Sequence, residues 1–387
     1  MKRMELELPY GRTPLRFSAD ARHIEVLRAA EIPEPRPLAS QLDEALCALT
    51  ALAGARVTVI VSDSTRNEPR AEFLAALRRR LPDGIRWTLA IATGTHGPSP
   101  LEPLGLPAEF LADATLVNHD GHSDRDLVEL GTTQHGTPVR VHRCVIETDL
   151  VILTGCIRPH YFAGFGAGAK AIFPGLGQAT AIRINHQLKT APKAKAGIVD
   201  GNPCRADLEE AVRMIPAPTF LLDGVSGPDY RIHAVVAGHV ERAFRQGCTI
   251  ARPWFTVRAR PAPVVIASDA LPVTASLYQA AKIAAAVAPL VEENGTLIIA
   301  AECPDGVGPL ETVNEAILRI GILPRLPAGA RLVLVSGMAK ELVDQTLLTF
   351  APSIEAAIGA ADRVLVIPKA SQLLCEPLCE PLRGCGL

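Results

Sequence analysis

The segment RVTVIVSDSTR (residues 56–66) joins a run of β-branched residues to a short polar turn. A similar arrangement recurs in WTLAIATGTH (residues 87–96) and in DLVILTGCIRPH (residues 149–160). Apolar runs without strict alternation are typical of parallel strands that are buried on both faces. Helical stretches such as residues 71–80 alternate with these runs, so the sequence predicts an α/β fold with mostly parallel sheets.

Each of the three runs ends in a turn that carries a titratable side chain. Asp63 and Arg66 follow the first run, His96 follows the second, and His160 follows the third. In open α/β sheets, ligands bind beyond the carboxyl ends of the strands. The sequence therefore predicts a functional site at one edge of a sheet. For the first turn alone, a helix cap with a solvated Arg66 is an equally ordinary interpretation.

The domain organisation follows from a change in composition near residue 251. Residues 251–263 (ARPWFTVRARPAP) are rich in proline and arginine. They break both the helical and the strand periodicity of apolar residues, as a linker would. For a chain of 387 residues we expect an N-terminal α/β domain over residues 1–255 and a C-terminal α/β domain over residues 263–370. We expect the active-site cleft between the two domains, and a cysteine-rich tail over residues 371–387.

The overall composition excludes several classes of protein. There are 39 Lys+Arg against 41 Asp+Glu, and only 4% of the residues are aromatic, so the chain lacks the basic, aromatic surface that holds nucleic acid. Its longest apolar stretch is too short for a membrane span, and its N-terminus has no signal-peptide run. The nine scattered cysteines do not form a disulfide framework, so we expect a cytoplasmic protein.

The glycine-rich segment PHYFAGFGAGAKAIFPG (residues 159–175) leaves two interpretations open. Its glycines at positions 164, 166 and 168 can present backbone N–H groups to a phosphate, or they can form a turn packed against a helix. The spacing matches neither a Walker loop nor a dinucleotide-binding fingerprint. Lys170 lies within the segment, and His186 follows 16 residues after this lysine.

The second domain contributes the segment YQAAK (residues 278–282), predicted to lie on a helix. Gln279 and Lys282 are three residues apart and therefore share one helix face. A lysine in such an alanine-rich helix is either functional or has its stem buried and its amine in water.

These motifs together resemble the lactate racemase family, whose members carry a nickel-pincer nucleotide. The resemblance extends over nearly the whole chain and is most specific in residues 159–175 with the histidine that follows. The residues that carry it are LPYG (8–11), DSTR (63–66), TGTH (93–96), the glycine-rich segment, Asn185-His186, GNP (201–203) and YQAAK (278–282).

The resemblance implies a role for each of eight residues. Lys170 would be tethered to the cofactor, a pyridinium-3,5-bisthiocarboxylic acid mononucleotide that binds nickel, and His186 would complete the nickel coordination. His96 and His160 match the paired acid/base histidines. Arg66 and Lys282 match the cations that orient and polarise the substrate, while Asp63 and Gln279 belong to the binding shell.

The implied activity is racemisation or epimerisation of a 2-hydroxy acid by reversible hydride transfer. A pyridinium-derived carbon is a suitable hydride acceptor, and mixed nitrogen and sulfur ligands suit square-planar nickel. The partners expected are a small 2-hydroxy acid and the proteins that synthesise the cofactor, with neither nucleic acid nor membrane.

Two rival functions remain open at the level of sequence. The first is a zinc-dependent hydrolase, with the metal held by histidines at positions 96, 119, 122 and 160. The second is a carrier of metal or nucleotide without catalytic turnover, which would use Cys375, Cys379 and Cys385 in the tail.

Overall fold

The computed structural model describes residues 2–21 and 23–378. It is a mixed α/β structure with two large sheets that are mostly parallel, which confirms the predicted fold class. Among the described residues, no helix is long and apolar enough to cross a membrane. Cys379 and Cys385 of the predicted tail lie outside the described residues.

The strands are numbered in chain order. They are β1 (Lys2–Leu8), β2 (Leu15–Ala21), β3 (His23–Val26), β4 (Arg56–Ser62), β5 (Arg86–Ala92), β6 (Ala114–Asn118), β7 (Leu127–Thr132), β8 (Pro138–His142), β9 (Leu150–Ile157), β10 (Pro159–His160), β11 (Gly164–Phe165), β12 (Thr219–Ser226), β13 (Ile232–Gly238), β14 (Thr256–Ala259), β15 (Ala262–Ser268), β16 (Val291–Ala300), β17 (Arg331–Val335), β18 (Thr349–Ala351), β19 (Arg363–Ile367) and β20 (Leu374–Pro377).

The helices are also numbered in chain order. They are α1 (Leu38–Ala45), α2 (Arg70–Arg80), α3 (Ala108–Asp113), α4 (Ala179–Gln187), α5 (Pro203–Arg213), α6 (Val240–Phe255), α7 (Leu277–Val287), α8 (Lys340–Val343) and α9 (Ile354–Ile358). Residues Thr312–Ile322 form a π-helical segment. The 3₁₀ turns are Leu46–Ala48, Glu102–Leu104, Arg143–Val145, Gly168–Ala171, Leu188–Thr190, Ala288–Leu290, Leu323–Arg325 and Ala370–Gln372.

The chain divides into two compact units, and residues 31–254 form one of them. Its main sheet has six strands in the order β13-β12-β9-β4-β5-β6, and all neighbours are parallel except β13 and β12. Strands β5, β4 and β9 are therefore adjacent and point the same way. Their carboxyl ends meet at one edge of the sheet, as the sequence predicts.

Strand β4 shows why its run of apolar residues is unbroken. Val57, Val59 and Val61 pack on one face, in a core that α1 and α2 complete. Ile60 on the opposite face is equally buried, and the Thr58 hydroxyl donates to the carbonyl of Cys144 at 2.8 Å. Because both faces are covered, each successive side chain from Val57 to Val61 is buried.

The other unit contains the residues up to 30 and those from 255 onward. Its sheet has six parallel strands in the order β18-β17-β16-β15-β19-β3. Val265 and Ala267 pack with α7 on one face. Val264 and Ile266 pack on the other face with residues of the β1–β2 hairpin and α9.

The N-terminal segment differs from the expected domain boundaries. Residues 2–26 were expected with the N-terminal domain (residues 1–255), but β3 pairs with β19 as an edge strand of the other unit. Leu8 and Phe17 of the hairpin are buried against that same sheet. The physical reason is non-local: the apolar residues of the hairpin cover a sheet face built from residues more than 230 positions later, which the local sequence pattern does not indicate.

The expected linker over residues 251–263 is also regular structure. Helix α6 continues to Phe255 and includes Pro253. Strand β14 follows directly, pairs with β20 and buries Val257 and Ala259. The two units nevertheless divide at residues 254 and 255, which lie inside the predicted linker.

Candidate active site

The site lies at the carboxyl ends of β5, β4 and β9. Strand β4 leads into Asp63 and Arg66, and β5 leads into His96. Strand β9 runs to Ile157, and His160 follows in the short strand β10. The three polar turns are thus neighbours because their strands are neighbours.

These turns enclose a cavity of about 390 Å³. All six site residues that the sequence predicts within residues 31–254 line this cavity: Asp63, Arg66, His96, His160, Lys170 and His186. Gln279 and Lys282 belong to the other unit, where they lie on α7. The Lys282 ammonium donates to the Gln279 side-chain oxygen, which confirms that the two residues share a helix face.

Two charged residues that the sequence analysis missed hold the turn after β4. The buried Arg70 guanidinium donates to the carbonyl oxygens of Ser62, at 2.8 Å, and of Arg66, at 2.8 Å. The Glu68 carboxylate accepts from the Ser62 N–H at 2.7 Å and from the Thr154 hydroxyl. This loop is therefore fixed from beneath, while the Arg66 side chain remains exposed.

Asp63 and His96 form a hydrogen-bonded pair. Asp63 is only 4% exposed, and its Oδ2 lies 2.6 Å from Nδ1 of His96. Burial opposes ionisation of Asp63, but hydrogen bonds from His96 and Thr65 outweigh it and lower the pKa of the carboxyl. An ionised Asp63 accepts the Nδ1 proton of His96, so Nε2 is the ring nitrogen that can accept another proton.

The neutral ring of His160 carries its proton on the other ring nitrogen from that of His96. The backbone N–H of Ala163 donates to Nδ1 of His160 at 3.2 Å, so the neutral ring carries its proton on Nε2. Burial, together with the positive charges of Lys170 and Arg66, lowers the pKa of His160 well below its ordinary value. The two histidines thus differ in the atom that is protonated: His96 accepts at Nε2, and His160 donates from Nε2.

Lys170 follows the glycine-rich loop in a 3₁₀ turn. Burial first, and then the charges of Arg205 and Arg66, lowers its pKa to about 7. Its amine lies 5.8 Å from the centre of the Phe162 ring, and it forms no ion pair within the described part of the chain. A substantial fraction of Lys170 is therefore an uncharged, nucleophilic amine at neutral pH.

His186 lies in the last turn of α4. Asn185 beside it is fully buried, and its amide donates to Asp207 at 2.7 Å, which fixes the helix against α5. Burial and the charge of Lys170 lower the pKa of His186 to about 4, so its imidazole is neutral at pH 7. Within the described structure, its Nδ1 is buried and has no hydrogen-bond partner.

The glycine-rich loop packs against the protein instead of presenting its N–H groups to a phosphate. The N–H of Gly166 donates to the Arg158 carbonyl at 2.8 Å, and that of Gly168 donates to Asp223 at 2.9 Å. A Cβ on Gly164 would lie 2.2 Å from the Ile198 carbonyl oxygen, and both Gly164 and Gly168 have positive φ. The phosphate-cradle interpretation is therefore wrong for Gly166 and Gly168, whose donors are already used.

A second layer behind the loop contains two buried charged residues that the sequence analysis also missed. Arg205 on α5 donates to the carbonyl oxygens of Ala163, Phe165 and Ala167. Asp223 on β12 is fully buried, and burial raises its pKa to about 8. A predicted helix or strand gives no signal for such residues, because charged side chains usually face water.

The four histidines of the zinc-hydrolase hypothesis do not form a metal site. Within residues 2–21 and 23–378, no group of three or more histidine, cysteine, aspartate or glutamate side chains is arranged to hold a metal ion. His119 is buried, and its Nε2 bonds to the Gly177 carbonyl at 3.0 Å. His122 bonds to the Thr95 carbonyl at 3.2 Å.

Comparison with known proteins gives consistent results. Residues 10–197 match the family model described as the lactate racemase N-terminal domain. The chain is 29% identical over 322 residues to a lactate racemase from Thermoanaerobacterium thermosaccharolyticum, which covers 78% of this chain and 75% of that protein. It is 31% identical over 261 residues to a lactate racemase from Lactiplantibacillus plantarum, which covers 65% of this chain and 61% of that protein.

Solved structures agree with the sequence comparisons. The lactate racemase apoprotein from Thermoanaerobacterium thermosaccharolyticum superposes with a TM-score of 0.82 and 25% identity, covering 96% of this chain and 100% of that one. A Thermotoga maritima protein, at 16% identity and a TM-score of 0.66, shares the fold. Fold and relatives define an isomerase of the racemase class. These matches confirm the resemblance to the lactate racemase family that the motifs predict.

The depressed pKa values predict that the protein loses stability in mild acid. The buried His119 and the half-buried His142, His160 and His186 all have lowered pKa values, so below their ordinary value of 6.5 the unfolded chain binds more protons than the folded one. The free energy of unfolding should be highest above pH 6.5 and should fall as the pH decreases toward about 4, the folded pKa of His186. Urea unfolding of the protein at pH 7.5 and at pH 5 measures this difference.

The control for this prediction is a pair of histidine variants. His186→Gln should reduce the difference in unfolding free energy between the two pH values. His135→Gln, which changes an exposed histidine, should leave the difference unaltered. Equal stability of the parent protein at both pH values would contradict the prediction.

Proposed function

We propose that this protein racemises or epimerises a 2-hydroxy acid with a nickel-pincer nucleotide bound in the cavity at Lys170 and His186. The observation that carries the proposal is that six side chains from four separate segments line one cavity of about 390 Å³. Arg66 supplies a cation that can bind a carboxylate. His96 and His160 carry their protons on different ring nitrogens. Lys170 supplies a partly uncharged amine, and His186 supplies a neutral imidazole. A small 2-hydroxy acid, the cofactor-synthesis proteins and a cytoplasmic location remain predictions that follow from this proposal.

The residues present fit the nickel cofactor that this family uses. A tether to Lys170 needs an uncharged amine, which its lowered pKa provides. Nickel coordination needs a neutral imidazole, and His186 has one, with a buried Nδ1 that is unpartnered among the described residues. The cavity volume lies within the range of about 300–1,000 Å³ that small-molecule sites occupy. When bound, the nucleotide supplies an electrophilic ring carbon that can take the substrate Cα hydrogen with its electron pair.

The protein's own side chains would bind and orient the substrate. Arg66 is exposed at the cavity and offers a planar guanidinium that matches a carboxylate. Its loop is held by Arg70 and Glu68, so the loop is ordered before the substrate arrives. We extend the proposal to Lys282, which would orient and polarise the substrate, and to Gln279 as a member of the binding shell. This part rests on the family resemblance and on the hydrogen bond between the two residues.

The two histidines would move the hydroxyl proton. Nε2 of His96 takes the proton from the hydroxyl of one enantiomer, and the buried Asp63 carboxylate stabilises the resulting imidazolium. The Cα–H bond then breaks as the C=O bond forms, which gives a planar 2-keto acid. Reduction on its other face completes the inversion. For this direction His160 must enter the cycle protonated, so that it becomes the neutral ring when it gives a proton to the oxygen, and proton exchange with water then restores neutral His96 and protonated His160.

His160 faces a constraint that His96 does not. Its Nδ1 already accepts the Ala163 N–H, so the ring can hold a second proton only if it breaks that hydrogen bond. The positive charges nearby also oppose a charged His160. A bound carboxylate would reduce this opposition by supplying a negative charge close to the ring.

The first prediction from this proposal separates the tether from the metal ligand. In protein produced with the cofactor-synthesis enzymes, Lys170→Ala should remove both the added mass and racemase activity. His186→Ala should lower bound nickel, because it removes the proposed ligand. His96→Gln should retain both mass and nickel and lose turnover. Intact-mass spectrometry, nickel analysis and an enantiomer assay measure these outcomes; full activity of Lys170→Ala would refute the tether.

The second prediction concerns the fate of the Cα hydrogen. A 2-hydroxy acid deuterated at Cα should keep its deuterium through racemisation, because hydrogen that moves with its electron pair does not exchange with water. Racemisation of the unlabelled acid in deuterated water is the matched reaction and should incorporate little deuterium at Cα. Mass spectrometry of the product measures both reactions. Rapid incorporation from solvent would indicate a carbanion mechanism instead.

The third prediction tests the Asp63–His96 pair. Asp63→Asn places an amide donor at Nδ1, favours the tautomer protonated on Nε2 and removes the acceptor that the reaction needs. The kcat should fall by roughly 10²–10⁴-fold, the usual contribution of a general acid/base group. His96→Gln should lower it similarly, and the double variant should lower it little further, because the two residues act as a unit. Additive losses in the double variant would show that Asp63 does not act through His96.

A further inference from the structure

Tyr230 has an unusual backbone conformation at the mouth of the catalytic cavity. It lies in the turn between β12 and β13 with a φ of 66°, the left-handed region that bulky residues rarely adopt. Its side chain is exposed, with a relative accessibility of 46%. A glycine or asparagine would be the ordinary choice for such a turn position, so the aromatic side chain has to be explained by what it contacts.

The surroundings of Tyr230 hold it in place. The amide of Asn67 donates to the Tyr230 carbonyl at 3.2 Å, and the guanidinium carbon of Arg158 lies 4.1 Å from the centre of the tyrosine ring. The N–H of Tyr230 donates to the Gly227 carbonyl at 3.0 Å, and the neighbouring Asp229 carboxylate accepts from Arg231 at 2.8 Å. The ring is thus presented by a rigid turn and is covered on its face by a cation.

Tyr230 stands between two cavities of the same unit. It lines the 390 Å³ cavity that contains His96, His160 and Lys170. It also lines a neighbouring open groove of about 560 Å³, and Asn67 is shared between the two in the same way. Tyr230 and Asn67 together therefore form a partition between the catalytic cavity and this groove.

The groove is suited to an apolar side chain. Pro35, Leu38 and Ile232 line it. Its guanidinium groups are already engaged: Arg36 pairs with Glu44, Arg231 with Glu34 at 2.7 Å, and Arg70 with Glu68 at 3.8 Å. The exposed Glu72 adds a carboxylate to the lining. The groove therefore offers apolar contact area beside paired cations and a negative charge, which suits an alkyl or aryl chain better than a second carboxylate.

We propose that Tyr230 is a specificity-determining residue that closes the catalytic cavity toward the groove and restricts the substrate to 2-hydroxy acids with small side chains. The inference rests on the proposed function, which supplies the 2-hydroxy acid. It adds the residue that sets the upper limit on side-chain size, and it predicts where a longer side chain goes when that limit is removed.

The test compares two substrates in cofactor-loaded protein: lactate, and 2-hydroxy-4-phenylbutanoate with a long aryl side chain. Tyr230→Gly suits the positive φ and opens the partition, so it should raise kcat/KM for the long acid relative to lactate by at least tenfold. Tyr230→Phe keeps the ring and should keep the ratio of the parent protein. The thermal midpoint and the mass added at Lys170 show whether each variant is folded and loaded.

A second measurement separates the two proposals. Loaded parent protein that inverts neither these two acids nor any other 2-hydroxy acid in a panel of different side chains would refute the proposed function. A parent racemase with an unchanged ratio in Tyr230→Gly would refute the role of Tyr230 alone. Binding without turnover, read as the shift in thermal midpoint with each acid, tests the partition independently of catalysis. Tyr230→Gly should gain stabilisation by the long acid; an equal shift in the parent protein would overturn the inference.

Discussion

One buried cation supports the loop that shapes the candidate site and contributes to the protonation of the site. Arg205 is fully buried, and its guanidinium donates to three carbonyl oxygens of the glycine-rich loop, at Ala163, Phe165 and Ala167. The carbonyls of Ala163 and Ala167 also accept the N–H groups of Phe165 and Lys170, so Arg205 adds a second donor to these two and a donor to the Phe165 carbonyl. A buried carbonyl that loses its donor costs about 1–3 kcal/mol. Burial lowers the pKa of Arg205 to about 10, so it stays charged at neutral pH, and that charge contributes to the lowered pKa values of Lys170 and His160.

The same charge distribution selects the kind of ligand that the cavity can accept. Among the described residues that line it, Asp63 is the only carboxylate, and its charge is already satisfied by His96 and Thr65. Arg66 at the surface and Arg205 behind the loop leave the cavity electropositive even though Lys170 is partly uncharged and His186 is neutral. An anionic ligand such as a carboxylate or phosphate is therefore favoured by the field of the whole site and not by one residue alone.

The parts that the sequence predicts are those governed by local periodicity. The β-branched runs identify β4, β5 and β9, and the parallel arrangement then brings Asp63, His96 and His160 to one edge. What the sequence does not show are interactions between distant segments. The pairing of β3 with β19 depends on a non-local register, and the buried positions of Arg205 and Asp223 contradict the usual preference of charged side chains for water.

His96 and His160 differ in their hydrogen-bond partners, and this difference is compatible with a reaction whose substrate and product have the same free energy. For a racemase the equilibrium constant is one, so kcat/KM must be the same for both enantiomers whatever the arrangement of the site. The difference between His96, which has its carboxylate partner, and His160, which has a backbone donor on Nδ1, can therefore appear only in kcat and KM separately. His160 can hold a second proton only when its hydrogen bond with Ala163 is broken, and it does so in one step of either direction. Whichever bound complex carries that cost, the enantiomer with the lower kcat must have a proportionally lower KM.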